Sequence, residues 1–107
     1  MPGMKKDDAD NTPASNTQIL LRLYVVGMTN TTKRAFHNLE KICETHFPGK
    51  YHIEVIDLKA NPGLAADEQI FAVPTVERKL PLPIRKVIGD LSDTEKVLVG
   101  LDLEELT

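Results

Sequence analysis

The chain has 107 residues, 41% of them hydrophobic, and a formal net charge of -3. This length supports one compact core and is too short for two, so we predict a single folded domain. The acidic balance argues against nucleic acid as a partner, because phosphate neutralisation needs a clustered excess of positive charge. The single cysteine excludes an intramolecular disulfide and a zinc site made of four thiolates, which suits the cytoplasm.

Residues 1–18 are predicted to form a disordered arm, and residues 19–107 the folded domain. The arm is polar and cannot bury enough apolar surface to offset the entropy of ordering. Its acidic residues argue against a signal peptide. No segment approaches the roughly 20 apolar residues of a membrane-spanning helix, so we expect a soluble, cytoplasmic protein that binds no membrane.

The amino-terminal half predicts strand, helix and strand. Residues 19–26 read ILLRLYVV, which is typical of a strand buried on both faces. Apolar residues recur at spacings of three and four over 33–47, which predicts a helix capped by Thr31 or Thr32. The alternation over 51–58 predicts a half-buried strand, parallel to the first because a helical crossover joins them.

The carboxy-terminal half gives weaker signals. An Asn-Pro pair at 61–62 predicts a helix start, with Asn61 as the cap of a short helix over LAADEQIF. Pro74 is expected at a sheet edge, a bulge or a special turn. Ser92 and Glu95 have capping-box spacing for a last helix. Gly100 costs a helix roughly 1 kcal/mol relative to Ala, and KVLVGLDL also reads as a strand, so both assignments stay open.

This order of elements matches a thioredoxin-like α/β fold, which is a topology and not an activity. Redox members carry C-x-x-C after the first strand, where this chain reads GMTN. We interpret Cys43, inside the apolar stripe of the first helix, as an inert core residue. His37, His46 and His52 lack metal-ligand spacing, and we predict no catalytic residue, metal or cofactor.

Basic residues concentrate in the segment ERKLPLPIRK, which contains Arg78, Lys79, Arg85 and Lys86. Two interpretations stay open. The segment is a solvated loop, or it is a docking patch to which electrostatic attraction steers an acidic protein surface.

Five segments closely resemble the KaiB family of circadian-clock proteins in order and spacing, over about residues 19–103. They read LYVVG, VIDLKANPGLA, AVPTV, LPLPIRKVIGDLS and EKVLVGLDL. The resemblance implies a metamorphic protein in which a β-α-β amino-terminal half is common to both states. The carboxy-terminal half is thioredoxin-like in one state and refolded in the ground state, which associates as a homo-oligomer, a dimer or tetramer.

The resemblance also assigns residues to the fold switch, namely Pro74, Pro81, Pro83, Gly100 and Asp102. Pro74 matches a proline that family members can hold in cis, and X-Pro isomerisation takes tens of seconds or longer. Gly100 and Asp102 match positions at which substitution biases the two states. Two packings within about a few kcal/mol of each other would suffice for a switch.

The resemblance implies a non-enzymatic regulator that docks on a KaiC-like hexameric ATPase, with a KaiA-like protein and a competing SasA-like histidine kinase as further partners. By alignment, the partner-binding positions are Arg34, His52, Glu54, Gln69, Arg85 and Lys86. Glu54 and Gln69 replace lysines that are usual in clock members. An alternative is therefore a KaiB-like regulator in stress adaptation without a rhythm, and a less favoured one is a thioredoxin-like thiol enzyme.

Overall fold

The computed structural model describes residues 18–104 and contains four strands and three helices in those residues. In chain order they are β1 (Ile19–Val25), α1 (Asn30–His46), β2 (Tyr51–Asp57), α2 (Gly63–Asp67), β3 (Thr75–Leu80), β4 (Arg85–Ile88) and α3 (Thr94–Gly100). The predicted strand-helix-strand half is confirmed, and of the two assignments left open for the last segment the structure has the helix. The arm predicted over 1–18 lies outside the described residues, except for Gln18.

The four strands form one mixed sheet in the order β2-β1-β3-β4. β1 pairs parallel with β2, as the helical crossover predicted, and antiparallel with β3. β3 pairs antiparallel with β4. The strand predicted to be buried on both faces, β1, is therefore central in the sheet.

The sheet separates two apolar clusters. Leu21 and Leu23 of β1 belong to the main core, which α1 and α3 cover, together with Val76 of β3 and Val87 of β4. Tyr24 belongs to a smaller cluster on the opposite face, which α2 covers. Both faces of β1 are buried, which explains its nearly continuous apolar sequence.

The predicted cap of α1 is wrong by two or three positions. Thr29 caps the helix, because its Oγ1 accepts a hydrogen bond from the Thr32 amide at 3.1 Å. Thr32 is buried and its hydroxyl donates to the Gly27 carbonyl at 2.8 Å, so it ties the helix to the preceding loop. Thr29, Thr31 and Thr32 satisfy the same local preference, and tertiary contact selects among them.

The predicted caps of the two short helices are also wrong. α2 has Pro62 at its cap and no side-chain capping bond, because the Asn61 amide donates instead to the Asp57 carbonyl at 3.1 Å. α3 is capped by Asp93, whose Oδ1 accepts from the Lys96 amide at 3.1 Å, and not by Ser92. The helical assignment of residues 94–100 thus prevails over the strand alternative.

Replacing Asp93 with alanine is expected to lower the free energy of unfolding by about 1 kcal/mol, because an orphan amide of α3 loses its acceptor. Urea denaturation followed by circular dichroism measures the change. Ser92→Ala is the matched control and should change stability by less than about 0.5 kcal/mol. A larger loss from Ser92→Ala than from Asp93→Ala would contradict the observed cap.

The proline positions surround β3. Pro74 directly precedes the strand, and its carbonyl accepts from the Gly89 amide at 2.9 Å. Pro81 and Pro83 lie in the connection from β3 to β4. The peptide bonds that precede these three prolines are cis. Pro74 lies in a bend just before the inner strand β3, which agrees with the special turn among the three placements that the sequence left open.

Gly100 and Asp102 lie at the end of α3, where the helix passes close to β4. A Cβ atom on Gly100 would overlap Cγ2 of Val87, so the absence of a side chain permits this close approach. Asp102 adopts a left-handed conformation with φ 55° and turns the chain so that Leu101 and Leu103 both enter the core. Both residues therefore lie where the last segment is joined to the sheet.

Candidate docking surface

The strand side chains that share a side with α2 form what we call the α2 face. Strand alternation and register place predicted partner residues His52 and Glu54 of β2 on this face, together with Lys86 of β4. Gln69 joins them from the turn after α2. The other strand residues that form hydrogen bonds or ion pairs on this face are Arg22, Tyr24, Glu77 and Lys79.

Glu54 is paired with a neighbouring strand. Its Oε1 lies 2.8 Å from Nε of Arg22, and both side chains are about one-third exposed. Hydrogen bonds with Tyr24 and Glu54 raise the pKa of Arg22. Since Arg22 and Glu54 are directly opposite in the sheet, the charge of Glu54 is locally compensated. This corner therefore offers a partner a paired, hydrogen-bonded surface, with exposed His52 beside it.

Gln69 and Lys86 are brought together. Nζ of Lys86 donates to the Glu68 carbonyl at 2.7 Å and lies 3.5 Å from the Gln69 carbonyl. Gln69 has a φ of 57°, so the backbone turns sharply here and presents its carbonyl toward β4. The lysine side chain thus connects β4 to the end of α2.

Glu77 of β3 is buried at the centre of this face, and sequence reasoning missed it. Its Oε1 accepts a hydrogen bond from the hydroxyl of Tyr24 at 3.0 Å. The amines of Lys79 and Lys86 lie 3.8 and 3.9 Å from its carboxylate oxygens. Burial, with a further contribution from Glu77, raises the pKa of Tyr24 to about 12. The available signal was a Glu and a Lys two residues apart on one strand face.

Arg34 and Arg85 do not belong to the α2 face. Arg34 is exposed on α1, which packs on the opposite side of the sheet. Arg85 is exposed on β4 and shares the side of Val87, which contacts the main core. The six predicted partner residues are therefore divided between the two sides of the sheet.

The segment ERKLPLPIRK does not form one basic patch. Lys79 and Lys86 lie on the α2 face, while Arg78 and Arg85 lie on the other. Arg78 is only 3% exposed, and its guanidinium donates to the carbonyls of Asp102 and Pro83 at 3.0 and 2.8 Å. Strand alternation distributes these charges between two faces, and burial removes one of them from the surface.

An apolar groove lies beside Lys86 and was not predicted. It has a volume of about 390 Å³ and is lined by Gln69, Ile70, Phe71, Thr75, Lys86, Ile88 and Lys96. Phe71 is 90% exposed and Ile88 is 54% exposed. An exposed aromatic ring in a groove flanked by amines has the composition of a protein-binding hot spot.

Cys43 is fully buried in α1, as predicted. Burial, reinforced by Glu44 and Glu40, raises the pKa of its thiol to about 12. Within residues 18–104 no group of three or more His, Cys, Asp or Glu side chains could hold a metal ion. Over the same residues no helix is long and apolar enough to cross a bilayer.

Comparison with known proteins identifies the family. Residues 22–103 match the model of the KaiB domain. The chain belongs to the KaiB family. The circadian clock oscillator protein KaiB of Synechococcus elongatus is 52% identical over 84 residues, which cover 78% of this chain and 82% of that protein. The same protein of Trichodesmium erythraeum is 51% identical over 96 residues, 88% of this chain and 91% of the relative.

Solved structures confirm the thioredoxin-like α/β fold of this KaiB-family chain. The amino-terminal domain of Synechococcus elongatus SasA superposes with a TM-score of 0.68 at 18% identity, covering 83% of this chain and 88% of that one. Mitochondrial thioredoxin 3 of Saccharomyces cerevisiae gives 0.62 at 16% identity, with coverage of 80% and 78%. At these identities the similarity concerns the fold and not the activity.

Proposed function

We propose that this KaiB-family chain is a non-enzymatic regulator that docks on a KaiC-like hexameric ATPase in the thioredoxin-like state described above. The observation that carries the proposal is the family match over residues 22–103. Its curated relatives are circadian clock oscillator proteins. The shared fold with the SasA amino-terminal domain supports competition between this chain and a SasA-like kinase for one ATPase surface.

The docking surface that we propose is the end of the α2 face around Gln69, Phe71 and Lys86. The apolar groove gives a partner side chain a place to be buried, and the exposed ring of Phe71 supplies contact area. His52 and Glu54 on the edge strand β2 form a second corner, which we assign to a further partner such as a KaiA-like protein. His52, Glu54 and Lys86 lie on strands of the sheet, and the amine of Lys86 connects the Gln69 turn to that sheet.

Fold switching and self-association belong to the same proposal. The carboxy-terminal half would exchange this packing for another, with Pro74, Pro81, Pro83, Gly100 and Asp102 at the points of change, and the second state would form a dimer or tetramer. The close approach of Gly100 to β4 and the left-handed turn at Asp102 support this assignment. A substitution that prevents either feature would destabilise this packing relative to the other one.

Co-elution with a KaiC-like hexameric ATPase in size-exclusion chromatography, followed over hours, tests the proposal. The wild-type chain is expected to shift to the elution volume of the hexamer. Phe71→Ala should weaken binding about tenfold or more, because truncating an exposed aromatic anchor removes hot-spot contacts. Val99→Ala, at an exposed apolar residue of α3, is the matched control and should bind normally. Absence of any complex after hours would refute the proposal.

A regulator in stress adaptation without a rhythm is the second candidate. The feature that favours it is Glu54, which is paired with Arg22. The family resemblance implies a lysine at this position in clock members. Phosphorylation of a KaiC-like ATPase, followed over days with a KaiA-like protein present, separates the two. Sustained oscillation that requires this chain supports the clock function, whereas binding with constant phosphorylation supports the alternative.

The thiol-enzyme alternative requires a reactive Cys43, whereas the burial of this residue predicts an unreactive thiol. Cys43 should fail to react with a disulfide reagent at about pH 8 in the folded chain, because a buried thiol with a pKa of about 12 has almost no thiolate there. Absorbance of the released thiolate measures the reaction. The same sample in concentrated guanidinium chloride is the control and should react fully. Rapid reaction of the folded chain would revive the enzyme interpretation.

A further inference from the structure

Glu77 is a buried carboxylate on the α2 face, and its contacts with two lysines give it an electrostatic role in the structure. Its side chain is 2% exposed, and in the sheet it lies opposite Arg22 of β1 and Lys86 of β4. A buried carboxylate is costly unless charges and hydrogen bonds compensate it. The hydroxyl of Tyr24 and the amines of Lys79 and Lys86 provide that compensation.

The two lysines that face Glu77 are both attached to Glu68 at their other side. Nζ of Lys79 lies 3.1 Å from Oε1 of Glu68, and Nζ of Lys86 donates to the Glu68 main-chain carbonyl at 2.7 Å. A continuous chain of polar contacts therefore runs from the centre of β3 to Glu68, the residue that follows α2. This chain of contacts lies next to the groove that contains Phe71.

The end of α2 has few other attachments to the sheet. α2 contains five residues, and none of them is buried. Ile70 is the buried residue of the following turn, and Leu64 packs on the same small cluster. Segments with little buried apolar area open locally at low free-energy cost, so polar links to such a segment have a large influence on its order.

We propose that Glu77 is a positioning residue for docking. Its carboxylate holds Lys86 and Lys79 against Glu68 and thereby fixes the turn that presents Gln69 and Phe71 to the partner. The positioning rests on the geometry above, whereas its consequence for binding rests on the proposed function. Glu77 itself is buried and does not touch the partner.

Hydrogen exchange of the wild-type chain, Glu77→Gln, Lys86→Met and the double variant tests the positioning. Each single variant should raise exchange of the Glu68 and Ile70 amides about tenfold, while amides of β1 keep their protection. The double variant should show a smaller loss of opening free energy at the turn than the sum of the two single losses, because Glu77 acts in part through Lys86 and in part through Lys79. Unchanged exchange at the turn, equal acceleration throughout the chain, or additive effects would each overturn the proposal.

Binding of the same variants to a KaiC-like ATPase tests the consequence. Glu77→Gln should weaken the affinity about fivefold, although it lies beneath the surface. Tyr51→Phe, which removes an exposed hydrogen bond to Glu44, is the control with unchanged affinity. A loosened turn with unaltered affinity would overturn the docking role. If the wild-type chain fails to bind, the proposed function falls, and the exchange experiment still decides whether Glu77 orders the turn.

If Glu77→Gln does not fold, Tyr24→Phe provides the second variant. It removes the 3.0 Å hydrogen bond to Glu77 and leaves both lysines in place. Exchange at Glu68 and Ile70 should then rise by a smaller factor than in Lys86→Met, because the carboxylate retains its cationic neighbours. An increase equal to or larger than that of Lys86→Met would overturn the assignment to the lysine contacts.

Discussion

Replacing Leu103 with alanine is expected to destabilise the carboxy-terminal packing by about 2–5 kcal/mol while β1, α1 and β2 stay folded. Leu103 is fully buried in the main core, and its amide donates to the Leu98 carbonyl at 2.8 Å. Truncation removes apolar contacts and leaves a cavity between the last turn and the sheet. A chain with a second packing of this half should populate that packing instead of unfolding.

NMR spectra of the Leu103→Ala variant measure this directly. Peaks from residues after Leu58 should move to a second, slowly exchanging set, while peaks from β1 and α1 keep their positions. Leu39→Ala is the matched control, since Leu39 is an equally buried leucine of α1, the helix that both proposed states would share. It should destabilise the whole chain. If both variants simply unfold all residues in one transition, the two-state proposal for the carboxy-terminal half is contradicted.

Replacing Arg78 with methionine is expected to lower the free energy of unfolding by about 3 kcal/mol. The buried guanidinium donates to the Asp102 carbonyl and to the Pro83 carbonyl, so it connects the end of α3 to the β3–β4 connection. Methionine fills a similar volume but leaves both buried carbonyls without that donor, each at a cost of about 1–3 kcal/mol. Methionine also avoids the cost of removing a charged guanidinium from water, which offsets part of this loss of stability.

Urea denaturation of three variants checks the role of Arg78. Arg78→Lys should lose less stability than Arg78→Met, because its amine keeps the charge and a hydrogen-bond donor. It should still be less stable than the wild-type chain, because an amine does not reach both carbonyls in the way a planar guanidinium does. Arg85→Met, at an exposed arginine on the same side of the sheet, should change stability by less than about 0.5 kcal/mol. Equal losses from Arg78→Met and Arg85→Met would contradict the buried connection.

Leu103 and Arg78 also give the proposed fold switch a definite location. Leu103 supplies apolar contact at the last turn, and Arg78 supplies the hydrogen bonds that hold the same turn to the proline-rich connection. Pro83 and Asp102, which the family resemblance assigned to the switch, are the two residues whose carbonyls Arg78 binds. A change at any of these positions should therefore alter the balance between the two packings that we propose.

The amino-terminal half could be predicted from local patterns. The apolar run of β1, the stripe of α1 and the alternation of β2 each report burial through a spacing that neighbouring residues define. Helix caps were less predictable, since Thr29, Thr31 and Thr32 satisfy the same local chemistry. Only Thr29 lies where the loop from β1 lets its hydroxyl meet the helix amide.

The candidate site could be predicted only in part. The resemblance identified Gln69 and Lys86, which the structure brings together at the end of α2. It also identified Arg34 and Arg85, which lie across the sheet from them. Glu77 and Phe71 were not found. The spacing of Glu77 and Lys79 places both on one strand face but does not report burial, and a phenylalanine after a short helix gives no local signal of exposure.

The sequence by itself determined the family, the strand-helix-strand order of the amino-terminal half and the inert position of Cys43, because local spacing and residue type carry that information. The tertiary structure alone decided which charges are paired, which face each basic residue occupies and what surrounds Gly100. The reason is distance along the chain. Arg22 and Glu54 are 32 residues apart, and Tyr24 and Glu77 are 53 apart, so only the assembled sheet brings their side chains into contact.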